Sequence, residues 1–125
     1  MLYTTYFHKI NQLPEEVKKL IITRFPPKWF DISKHPNTYI IKELSPYAET
    51  LLEYKKDNDW NKYVERFNKQ MQKDHIMGIY LDKLYLKLWQ GKDYALICYE
   101  KDYEHCHRYL LAKYLESKGI EWREI

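Results

Sequence analysis

Tyr94-Ala95-Leu96-Ile97-Cys98-Tyr99 limits what this chain can fold into more than any other stretch. The run is nearly continuous in apolar residues, so it does not alternate as a half-exposed strand would. It suits a strand buried on both faces, the situation of a central strand in a parallel sheet. The residues behind it agree. Leu111, Tyr114 and Leu115 define a helix face, Gly119 is a C-terminal stop, and Ile120 and Trp122 alternate with polar residues as a last strand. Strand, helix, strand is a βαβ unit.

The rest of the chain supplies further layers. Residues 2–7 read as a first strand. Pro14 before Glu15 and Glu16 predicts a helix start, because proline suits the first turn and acids suit the positive end of the dipole. Leu20 to Thr23 read as a second strand, stopped by Pro26-Pro27. Thr38 to Leu44 hold another extended piece. Ser45-Pro46 opens a helix through Leu51, Leu52 and Tyr54, which Asp57-Asn58-Asp59 ends. Trp60, Tyr63, Val64, Phe67 and Met71 then recur at helical spacing. So do Ile76, Tyr80, Leu84 and Leu88, flanked by Met77 and Leu81, up to Gly91. With no repeat, low-complexity segment or linker, residues 1–125 predict one domain. It is a three-layer α/β sandwich, Rossmann-like, with a mainly parallel sheet.

Composition narrows the function classes. Hydrophobic residues at 45% and charged residues at 31% describe a folded globular chain. The 13 Tyr and 4 Trp suit a core or a ligand cleft equally, since each has an apolar body and a polar tip. A net charge of +3, spread along the chain, makes no basic face, so nucleic acid is not the expected partner. The start lacks the pattern of a signal peptide, no run is long enough to span a membrane, and two Cys do not make a secreted disulfide framework. A cytoplasmic protein is expected.

Ligands in open α/β sheets gather beyond the carboxyl ends of the strands. One such end is Thr23-Arg24-Phe25-Pro26-Pro27-Lys28-Trp29, where Arg24, Lys28 and Trp29 are candidate ligand-binding residues. The other runs from Cys98-Tyr99-Glu100 to His105-Cys106-His107-Arg108. Cys98 and Glu100, two apart on an extended chain, point the same way. Cys106, His107 and Arg108 fall at a helix start, where free N–H groups and the dipole favour an anion. A thiol there, beside histidine, is a candidate nucleophile or redox sensor, and Glu100 a candidate general acid or base. Arg24 and Arg108 could fork around a phosphate or carboxylate. The plainer alternative pairs Arg108 with Glu100 to tie helix to strand, with Cys98 as a small buried hydrophobe.

Cys98, Cys106, His105 and His107 nominally make four zinc ligands. Their spacing matches no usual knuckle and neighbours at a helix start splay apart, so no metal is expected. With 3 Gly and no glycine-rich phosphate loop, a standard dinucleotide or ATP site is absent too, and no cofactor is expected.

The C-x-E strand end at Cys98 and Glu100, followed by Cys106-His107-Arg108, resembles the family known as domain of unknown function 488. Thr23-Arg24-Phe25-Pro26-Pro27 is similar to that family's Ser-Arg-x-x-Pro loop, with Thr23 in place of Ser. Tyr99 stands where a smaller residue is usual and Tyr103 where Pro is common. The resemblance implies a small α/β protein of bacterial or phage type, without a settled activity. It carries a motif role to Arg24, Cys98, Glu100, Cys106, His107 and Arg108.

Together these readings predict binding or processing of an anionic small molecule, nucleotide-like, with Glu100, Cys106 and His107 as the reactive groups. The alternative is a non-catalytic module that sequesters such a ligand or binds a protein partner.

Overall fold

In the computed structural model, which describes all residues from 1 to 125, the apolar run is the axis of the sheet. Five strands, β1 (Leu2–Tyr6), β2 (Lys18–Ile21), β3 (Thr38–Ile40), β4 (Tyr94–Cys98) and β5 (Trp122–Glu124), lie in the order β3-β2-β4-β1-β5, every pair parallel. Strand β4 pairs with β1 on one side, Leu2 opposite Tyr94, and with β2 on the other, Lys18 opposite Tyr94. All five of its residues are buried, as the lack of alternation required.

Four helices cover one face: α1 (Ala48–Asp57), α2 (Trp60–Lys73), α3 (His75–Trp89) and α4 (His107–Glu116). Leu96 and Cys98 of β4 turn toward this layer and join Phe67, Met77, Leu81 and Leu111 in the larger core. Ala95 and Ile97 turn the other way. They meet Phe7, Ile10, Leu13 and Val17, with Phe30 packed alongside. The third layer of the sandwich is thus built by the 3₁₀ segment Phe7–Gln12 and the loops, without an α-helix.

The helix expected at Pro14 does not form. Strand β2 begins at Lys18, and the intervening residues have no room for more than a turn. The buried face of α3 is Met77, Leu81, Leu84 and Leu88, one step around from the expected line, so Ile76 is 52% exposed. The break at Asp57-Asn58-Asp59 falls where the sequence put it, whereas α1 begins at Ala48 behind Tyr47 and not at the expected Ser45-Pro46 cap. Asn58 takes the left-handed conformation that ends α1, and the Asp59 side chain accepts from the Lys62 N–H; Asp74 adds an unexpected cap to α3, accepting from the Met77 N–H. Gly91 and Gly119 have φ of 86° and 92°, the left-handed stop that glycine adopts at least cost. No helix is long and apolar enough to cross a membrane.

The chain leaves β1 and β2 toward the Phe7 and Phe30 side, but leaves β4 toward α4 on the helical side. Neighbouring strands whose connections part to opposite faces open a crevice at their carboxyl ends. The residues after Cys98 stand at that crevice.

Candidate functional site

The loop beyond β4 is shaped by short-range hydrogen bonds. Asp102 accepts from the Glu104 N–H and starts a 3₁₀ turn, Tyr103–His105, and the Cys106 N–H donates to the Tyr103 carbonyl. Cys106 then adopts an extended backbone, φ −137° and ψ 147°, as the residue capping α4, and its side chain makes no capping bond. This change of direction brings Cys106 back over the end of β4. The structure joins Cys98 and Cys106 as a disulfide across a Cα separation of 7.4 Å. Cys106 is only 2% exposed, so the accessible thiol expected at a helix start is instead a buried sulfur.

His107 lies beneath the same pair. Its Nε2 bonds the carbonyl of Ile22, at the end of β2, and a carbonyl can only accept. The proton therefore sits on Nε2, and the Nδ1 lone pair faces Cys98 Sγ at 3.4 Å and Cys106 Sγ at 3.9 Å. Burial pushes the imidazole down to about 4; the Ile22 bond opposes this and the Arg108 charge assists it. A neutral imidazole cannot stabilise a Cys106 thiolate as a cation would. The expected ion-pair activation of Cys106 by His107 is therefore corrected.

Arg108 is 0% exposed. Its guanidinium grips Glu124 with two bonds, Nε to Oε1 at 3.1 Å and an amino nitrogen to Oε2 at 2.9 Å, and donates to the Glu100 carbonyl at 2.6 Å. Glu124 also accepts from the Thr4 hydroxyl at 2.6 Å. The network ties α4, the β4 loop, β5 and β1 together. Arg108 is therefore no ligand clamp, and its tie to residue 100 runs through the backbone, not the carboxylate.

That leaves the Glu100 side chain exposed and without a hydrogen bond or ion pair. It borders two adjoining hollows. An open cleft of about 540 Å³ is lined by Tyr54, Lys55, Asn58, Glu100, Asp102 and His105. A narrow pocket of about 70 Å³ continues toward Thr23, Tyr63, Cys98, Cys106 and His107, sharing the wall of Leu51, Tyr54, Glu100 and His105. Burial, with the Glu100 charge adding to it, pushes the pKa of both the Tyr54 and Tyr63 phenols up, making them weaker acids. Both keep their protons and can donate.

The other nominated residues sit apart. Arg24 donates from Nε to the Pro46 carbonyl at 3.1 Å and borders a separate depression with Lys42, Glu43 and Asp74. Lys28 borders neither hollow. Trp29, 59% exposed, stacks on His8 at 5.0 Å on the Phe7 side of the sheet. His105 is exposed and bonds Asp102 at 2.7 Å. The structure thus unites Cys98, Glu100, Cys106 and His107, and leaves out Arg24, Lys28, Trp29 and Arg108. It adds Tyr54 and Tyr63, whose helical spacing marked them only as packing residues, and Glu124, which nothing local to it marks.

A family model described as the active DUF488-N3 subclade matches residues 2–119. Neither the curated proteins nor the solved structures contain a match to the chain.

Proposed function

The chain belongs to the DUF488 family, and from that premise we propose that it binds a nucleotide-like anionic small molecule in the cleft beyond β4, with Glu100 acting on it. The carrying observation is the pair of adjoining hollows at the end of the central strand, with a free carboxylate at their shared wall. A cleft of this size accepts a nucleoside-sized ligand, since small-molecule sites run from about 300 to 1,000 Å³. Tyr54 offers a ring for a base and a phenol for a hydroxyl, and Glu100 accepts from ribose hydroxyls or takes a proton as general base. Lys55 is the cation at the rim for a phosphate, the role first assigned to Arg24 and Arg108.

The test starts with native mass spectrometry of protein purified from cells, to show a retained ligand. Calorimetry with a panel of nucleosides and nucleotides follows. Glu100→Gln and Tyr54→Ala should each weaken the best ligand by about tenfold or more, the loss of one charged hydrogen bond or one stacked ring. Affinity unchanged in both variants would overturn the reading.

A second reading is a non-catalytic module with a structural motif. Its support is Arg108, which spends its charge entirely inside the protein.

A further inference from the structure

Cys98, at the end of β4, and the neighbours Cys106 and His107, at the start of α4, converge on one point. Their ligand atoms, two Sγ and one ring nitrogen, all lie within 4.8 Å of one another, and all three residues are buried. Neighbours at a helix start were expected to splay. They do not, because Cys106 is still extended while His107 already begins the helix, so both side chains fall toward Cys98.

Three further features distinguish this cluster from ordinary packing. The first is the imidazole. Its Nε2–H is held by the Ile22 carbonyl, which leaves Nδ1 aimed at the sulfurs. Histidines that ligate a metal are oriented by this kind of bond from the other ring nitrogen to a carbonyl or carboxylate. The second is the backbone spacing. Disulfide-bonded cysteines usually hold their Cα atoms about 4.4–6.8 Å apart. At 7.4 Å the backbone of Cys98 and Cys106 is set wider than that range. The third is the identity of residue 106. Helix N-caps favour Ser, Thr, Asp or Asn because their oxygens bond the helix N–H groups. The Cys106 sulfur makes no such bond, so it does not serve as a cap.

We propose that Cys98 Sγ, Cys106 Sγ and His107 Nδ1 hold a zinc-class divalent cation in the reduced protein, with the fourth position open to the narrow pocket. Two thiolates and an imidazole suit a soft, tetrahedral ion, and three protein ligands with one open position is the arrangement of a catalytic rather than a structural site. All three ligands line the 70 Å³ pocket together with Thr23 and Tyr63, so a water or ligand atom has room at the fourth position. Binding displaces one proton from each thiol. The disulfide form holds no ion: a dithiol reductant gives two electrons and two protons to the bridge, becoming a disulfide itself, and restores the site. This inference does not rest on the nucleotide reading.

The experiment uses the full chain, reduced with a dithiol under anaerobic conditions, with two thiols counted before metal is added. Cobalt(II) should bind at one equivalent. It should show sulfur-to-cobalt charge-transfer absorption and the strong visible bands of a tetrahedral site, both lost when zinc(II) is added. Cys106→Ser and His107→Ala should each weaken zinc at least about a hundredfold, since even residues supporting a ligand cost 10–100-fold. His105→Ala should bind as the parent chain does. Should His107→Ala not fold, as judged by circular dichroism, protection of the parent's two thiols from alkylation by zinc is the second readout. Two counted thiols with no cobalt spectrum, a site that survives Cys106→Ser, or dependence on His105 would each overturn the proposal. Zinc that leaves alkylation rates unchanged would do the same.

Discussion

Arg24 and Arg108 lie past the carboxyl ends of two neighbouring strands, each in the motif that marks its end of the sheet. From the sequence they look interchangeable, two cations fit to grip one anion. In the structure Arg108 is sealed in a bidentate pair with Glu124 and a bond to the Glu100 carbonyl, while Arg24 is half-buried with a single bond to the Pro46 carbonyl. What separates them is the element that follows. After β4 the chain re-enters the protein as α4, and Arg108 enters with it; after β2 it runs over the surface through Pro26 and Pro27. A charge carried inward needs a partner of opposite sign, and Glu124, at the end of the chain, supplies it.

The largest effect that sharpens this comparison is Arg108→Met. It leaves Glu124 part-buried without its partner and should cost about 3–5 kcal/mol, a large share of the roughly 5–15 kcal/mol that holds a domain of this kind. Urea unfolding would measure it, and a loss below about 1 kcal/mol would mean the pair is ornamental. Glu124→Gln comes next. It keeps a hydrogen-bonding shape but removes the countercharge, for an expected cost of about 2 kcal/mol. Arg24→Met should cost no more than about 1 kcal/mol, one part-buried hydrogen bond. A larger loss would break the contrast. The smallest effect is acid sensitivity near Arg24. The hydrogen bond from the Tyr47 hydroxyl, with that from the Met77 N–H, holds the Asp74 carboxyl below its usual value. Its folded value is the lower one. The contribution is therefore present above the unfolded value near 4 and fades as pH falls through that range. Asp74→Asn should flatten that part of the stability curve slightly.

The same contrast explains what was legible beforehand. The β4 run, the α2 periodicity and the Asp59 cap are local patterns, and each is found in place. The Phe7–Gln12 layer was not legible, because its two core contacts, Phe7 and Ile10, are too few to set a period. Arg108 and Glu124 are 16 residues apart and meet only after the sheet has closed, so no local spacing announces the pair. At the site, Cys98, Glu100, Cys106 and His107 were named together because the motif is contiguous. Their geometry is not legible in that motif, since it depends on one extended residue at Cys106 and on a carbonyl contributed by Ile22.

The strand order has a consequence for how the chain reaches this structure. Strands β1 and β2 do not pair with each other; each pairs with β4, from which the whole of β3, α1, α2 and α3 separates them in the chain. Until residues 94–98 leave the ribosome, β1 has no hydrogen-bonding partner and β2 has only the short β3. The helices can form early and locally, but the sheet has to wait for its centre. Such dependence on distant contacts slows folding and leaves apolar strands exposed in the meantime. During synthesis the first ninety residues are therefore the segment most in need of a chaperone, and a nascent chain stalled before Tyr94 should remain protease-sensitive.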